Sequence, residues 1–65
     1  MFQLWDAFGG NIVARYRTAD EGIRAIEEEW EAGGDAIDLV LIHCEADGEM
    51  TVVAKGEDFA AARPA

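Results

Sequence analysis

The segment Thr18-Ala19-Asp20-Glu21 constrains this chain more than any other. A Thr three residues ahead of a Glu, opening an apolar stripe, forms a capping box. The hydroxyl takes one orphan N–H of the helix and the carboxylate reaches back to another. Ala19, Ile23, Ile26 and Trp30 then fall at i, i+4, i+7 and i+11, along one face of a helix. Gly33-Gly34 supplies the left-handed stop. Asp20→Arg24 and Arg24→Glu28 are favourable i,i+4 pairs, each contributing about 0.2–0.5 kcal/mol. In a chain of 65 residues, a helix bounded in this way leaves room for one short unit on each side. The whole, residues 1–65, is therefore read as one small domain.

Both flanking units read as hairpins. Before the helix, Phe2, Leu4, Ile12, Ala14 and Tyr16 alternate with Gln3, Trp5, Val13, Arg15 and Arg17, the period-2 signal of strands. The turn is placed at Gly9-Gly10-Asn11. Two registers stay open. A two-residue turn sets Trp5 beside Ala14, and a three-residue turn sets Leu4 there; a slip of one residue moves every side chain to the other face. After the helix, Ile37-Asp38-Leu39-Val40-Leu41-Ile42 is almost continuously apolar, as in a strand covered on both faces. Asp47-Gly48 signals a type I′ turn. As a two-residue loop it pairs Cys44 with Thr51, Ile42 with Val53 and Leu41 with Ala54, and puts Met50, Val52 and Ala54 on one face. Glu57 to Arg63 reads as a short terminal helical turn anchored by Phe59 and ended by Pro64. The expected fold is α+β: ββαββ, a four-stranded, mainly antiparallel sheet with one helix packed on one face.

One helix covers one face, yet Leu4 and Trp5, Ile12 and Val13, and Leu41 and Ile42 put apolar side chains on both. A chain this short buries only about 60% of its unfolded surface. Burying the second face, or pairing edge strands, in a homodimer would add to that core. Trp30 belongs to the helix stripe and is read as core. The position of Trp5 follows the hairpin register: core in one case, an interface anchor in the other.

Charge narrows the partners. There are 14 acids against 5 bases, a formal charge of −9. That argues against direct contact with nucleic acid or an anionic membrane surface. At 51% hydrophobic the chain is too apolar for a disordered acidic tail, and no run approaches the ~18 apolar residues of a membrane span. Met1 to Asp6 lack the basic and apolar regions of a secretory leader. Three readings of the acidity remain: solubility, an acidic face matched to a basic partner, and mimicry of a phosphate array. Glu27, Glu28, Glu29 and Glu31 crowd the half of the helix where its dipole prefers cations. Broken local rules of this kind concentrate at functional sites.

Little points to catalysis. His43 and Cys44 are strand neighbours facing opposite sides, so they cannot act as a nucleophile and its base. One cysteine excludes a disulfide framework, and with one histidine no zinc set exists without acidic ligands or a second chain. Glu45-Ala46-Asp47-Gly48-Glu49 lacks calcium-loop spacing. Gly9-Gly10-Asn11 lies between strands, not ahead of a helix, and is no phosphate loop. A chain of this size leaves little room for a cleft of ~300 Å³ or more. No enzyme activity, no catalytic residue, no cofactor and no metal are expected.

The run from Gly10 to Gly22 resembles a pattern in small, uncharacterised bacterial proteins: Trp-Asp, a Gly-Asn turn, an aromatic, then Thr-x-x-Glu-Ala and a helix. Those proteins often close with an acidic Asp-Gly hairpin and a Gly-Glu/Asp tail, as Asp47-Gly48 and Gly56-Glu57-Asp58 do here. Gly22 stands where Ala is usual, which weakens the helix slightly. The strand–Thr-x-x-Glu–helix portion also looks a little like HicB-type antitoxins, which the second hairpin does not fit. The resemblance implies the ββαββ fold and no catalytic residue.

The expectation is a non-enzymatic, cytoplasmic protein-interaction module, homodimeric, acting through its second sheet face or its acidic helix. The candidate contact residues are Trp5, Val13, Glu27, Glu28 and Glu31. The alternative is an inhibitor, antitoxin-like or nucleic-acid-mimicking, that docks in a basic partner's cleft.

Overall fold

The computed structural model describes residues 1–62, with side chains described through Phe59. The elements run β1 (Phe2–Asp6), β2 (Asn11–Tyr16), α1 (Ala19–Glu31), β3 (Leu39–Cys44), β4 (Met50–Lys55) and a terminal 3-10 helix (Gly56–Ala62). The four strands form one antiparallel sheet in the order β2-β1-β3-β4. This is the expected ββαββ arrangement. The crossover through α1 carries the chain past β1, so the two hairpins meet along β1 and β3 and leave β2 and β4 as edges. Arg63 and Pro64, expected to close the terminal turn, lie outside the described residues.

The caps of α1 form largely as the sequence dictates. Glu21 N donates to Thr18 Oγ1 at 3.2 Å. The Glu21 carboxylate accepts from the Thr18 hydroxyl at 3.2 Å instead of from its backbone N–H, so the reciprocal half of the capping box is absent. At the other end Gly33, with φ +83°, makes a Schellman turn. Gly34 N donates to Glu29 O at 3.0 Å and Gly33 N to Trp30 O at 3.1 Å. Of the two expected ion pairs, Arg24–Glu28 forms, at 3.2 Å and exposed on both sides.

Both hairpin registers differ from a simple two-residue loop. The first turn spans residues 7–10, earlier than expected, and Asn11 already belongs to β2. Asp6 Oδ1 holds it by accepting from Phe8 N at 3.0 Å and Gly9 N at 3.2 Å, and Gly10 closes it at φ +70°. Leu4 stands opposite Ala14, but Trp5 stands opposite Ile12, so Val13 is an extra residue in β2. In the second hairpin Gly48 N donates to Glu45 O at 3.0 Å and Glu45 N to Glu49 O at 2.8 Å. Among the described residues no non-glycine has a positive φ, which a type I′ turn would require of Asp47. The loop is instead a type I turn with Gly48 left-handed at φ +90°. The register therefore shifts by one: Cys44 faces Met50, His43 faces Thr51 and Ile42 faces Val52. Val53 is then the extra residue, and the expected Leu41–Ala54 pair returns below it.

The core is Leu4, Ile26, Trp30, Ala36, Leu41 and Ala54, with Phe2, Tyr16, Ile23 and Phe59 among the partly buried residues against it. Gly22 is buried in α1 because Leu41 packs directly on the helix backbone there; a Cβ on Gly22 would meet both Leu41 methyls. Trp30 Nε1 donates to Gly56 O at 2.9 Å, tying α1 to the end of β4. Gly56 itself lies against the Ala36 carbonyl, where no side chain fits. Ile37 and Asp38, expected in a strand covered on both faces, precede β3, and Ile37 is 50% exposed. Asp35 Oδ1 accepts from Ile37 N at 3.0 Å and turns the chain there. β3 is central in hydrogen bonding, but only one of its faces is covered by a helix.

Candidate interaction surface

Strand pairing sorts the sheet into two faces. On the helix side, Ala14–Leu4–Leu41–Ala54 and Tyr16–Phe2–His43–Thr51 run across the strands. On the other side run Ile12–Trp5–Val40–Lys55 and Arg15–Gln3–Ile42–Val52, with Cys44–Met50 beyond them. No described element lies over this second face. Trp5, Ile12, Val40 and Ile42 on it are half-buried, and Val52 and Met50 are exposed. Trp5 Nε1 donates to Gln3 Oε1 at 3.0 Å, which fixes the indole against the sheet and satisfies its polar atom. In a chain with 14 acids, the second face carries no carboxylate in these rows, only Arg15 and Lys55 at its two edges.

The bulge decides where the candidate contact residues go. Trp5 sits in the middle of the uncovered face. Val13 does not join it: the extra residue in β2 leaves the Trp5 row to Ile12, and Val13, 53% exposed, lines a cleft with Ala25 and Glu29 of α1. That cleft, of about 310 Å³, sits at the size for which so short a chain was expected to leave little room. Glu27, Glu28 and Glu31 are exposed on α1, and no base stands in its last turn. The structure thus places Trp5 on the open sheet face, Val13 in the cleft beside α1, and Glu27, Glu28 and Glu31 on the exposed surface of α1.

The groups that look chemical stay apart. His43 stacks on Phe2, ring centroids 4.6 Å apart, on the helix side, while Cys44 is half-buried on the opposite face. Among the described residues no three His, Cys, Asp or Glu side chains come together to hold a metal, and no helix is long and apolar enough to cross a membrane. Two features escaped the sequence patterns. Phe8 is 88% exposed at the tip of the first turn, an apolar residue beside glycines that strand periodicity does not reach. Glu29 is one of four similar glutamates until α1 is placed on the sheet, where it alone of the four lines the cleft. In comparison with protein-family models, curated proteins and solved structures, the chain matches none.

Proposed function

We propose that this chain is a non-enzymatic protein-interaction module, acting in the cytoplasm as a homodimer through the uncovered face of its sheet. The observation that carries the reading is the segregation on that face: Trp5, Ile12, Val40, Ile42 and Val52 together, without a carboxylate. Two copies of a chain with net charge −9 repel. This is the sheet surface on which they can meet without opposing acids. Edge-to-edge pairing fits less well, because both edge strands carry a bulge, at Val13 and Val53, and bulges blunt the edge as a template.

Size sets the strength. Four strands about 4.8 Å apart and five or six residues long give a face of roughly 350 Å² in plan. A stable interface buries about 800 Å² of accessible surface per partner. The dimer is accordingly weak and concentration-dependent. Sedimentation velocity through the micromolar range tests it. Association should strengthen as salt screens the net charge, and Trp5→Glu should abolish it while the far-ultraviolet dichroism stays unchanged. A monomer at every concentration and salt level overturns the reading.

A second reading has one observation of its own. Glu27, Glu28, Glu29 and Glu31 are exposed, with one described ion pair, Arg24–Glu28, among them. That suits an inhibitor whose acidic helix docks in a basic cleft. Its signature is capture of a basic protein that salt releases and that the triple variant Glu27→Gln, Glu28→Gln, Glu31→Gln no longer binds.

A further inference from the structure

We infer that the cleft between the C-terminal half of α1 and the β1–β2 end of the sheet binds an arginine side chain of a partner polypeptide. The inference stands on a different surface from the proposed dimer face and does not depend on it. The cleft holds about 310 Å³ and is open to solvent on one side. Leu4 and Leu39 form an apolar floor, and Val13, Ala25 and Tyr16 complete its lining. It exists because the extra residue in β2 carries Val13 to the helix side, while the residue opposite Leu4 is only an alanine, Ala14.

Two carboxylates stand on its rim, Glu29 and Asp35. The Glu29 carboxylate lies against Gly34, where a Cβ would collide with it. Asp35 Oδ1 accepts from Ile37 N at 3.0 Å, which leaves Oδ2 for a second donor. Among the described residues neither has a cationic partner; the ion pair present is Arg24–Glu28, on the solvent side of α1. The C-terminal end of α1, at Glu31, adds the negative end of the helix dipole nearby.

An apolar trough with two carboxylates in its lining fits one side chain in particular. The arginine stem lies along the aliphatic floor, and its planar fork, weakly hydrated and always charged, meets both carboxylates. A lysine offers a single, strongly hydrated point charge and engages one carboxylate at a time.

The test is a titration of the ¹⁵N-labelled full chain with the peptide acetyl-Gly-Arg-Val-amide, and with its Lys and Gln counterparts, followed by amide chemical shifts. The arginine peptide should shift Val13, Ala25, Leu39 and Asp35 with saturation in the millimolar range. Glu29→Gln and Asp35→Asn should each weaken it about tenfold, a change of about 1.4 kcal/mol; both replacements keep an acceptor oxygen, and an otherwise unchanged spectrum shows that the fold is kept. Equal binding of the Gln peptide overturns the proposal, and so does equal binding of the Lys peptide. Shifts spread over Glu27, Glu28 and Glu31, or no shifts at all, overturn it equally.

Discussion

Gly22→Ala is the substitution whose sign the structure reverses. In an exposed helix interior, Ala is better than Gly by about 1 kcal/mol. Here the new methyl is aimed at Leu41, whose Cδ2 lies 2.8 Å and whose Cγ lies 3.1 Å from the Cβ position. Leu41 is 0% exposed, so moving its methyls aside displaces packed neighbours. Overpacking of this kind costs about 1–3 kcal/mol. The net is a loss of about 1 kcal/mol, which in a domain this small lowers Tm by about 4–8 °C. The cycle partner is Leu41→Val, which shortens the side chain and itself costs about 1–2 kcal/mol. On that background the methyl added at position 22 fills space, so the same substitution should stabilise by about 1 kcal/mol. The coupling between the two sites is then about 2 kcal/mol, well above the scatter of independent pairs. Urea unfolding followed by the emission of buried Trp30 measures all four species. If Gly22→Ala stabilises the chain that retains Leu41, or acts equally on both backgrounds, the packing argument is wrong.

Other substitutions probe the joints of the fold. Gly56→Ala sets a Cβ into the Ala36 carbonyl, which is backbone and cannot turn aside, so a loss of about 3 kcal/mol or more is expected in the same assay. Trp30→Phe leaves the Gly56 carbonyl without its Nε1 donor at 2.9 Å, for about 1–3 kcal/mol. Thr18→Ala removes the N-cap and should cost about 1 kcal/mol, while Thr18→Ser keeps the acceptor and most of the stability. Because α1 has no base in its last turn and four glutamates near it, added salt should raise Tm, and Glu31→Lys should raise Tm at low salt and flatten that dependence.

The features legible in the chain alone are local. A Thr hydroxyl reaches only the N–H groups beside it, and Gly33 is the residue that can turn left-handed at the end of α1, so the helix and its limits follow from nearest neighbours. The two strand pairs followed from period-2 alternation, and so did the surplus of apolar positions that leaves one face of the sheet uncovered. The registers did not. Asp47-Gly48 is compatible with a type I′ turn and with a type I turn followed by a left-handed glycine, and the choice between them is made by what the strands must pack against. Leu41 has to face Ala54 under α1, and the bulge at Val53 is how the chain recovers that pair after its turn. The bulge at Val13 likewise keeps Leu4 on Ala14 while Trp5 moves opposite Ile12. Strand neighbours alternate sides, so a single inserted residue sends Val13 to the cleft and leaves Trp5 on the open face, a separation the alternating pattern of residues 11–17 does not contain. Gly22 looks like a weakness in the helix until Leu41 is seated on it. Glu29 looks like its neighbours until the sheet brings Val13 and Leu39 beneath it. Local order follows from groups a few residues apart; the sites here are contacts between groups far apart in the chain, and only tertiary packing brings those together.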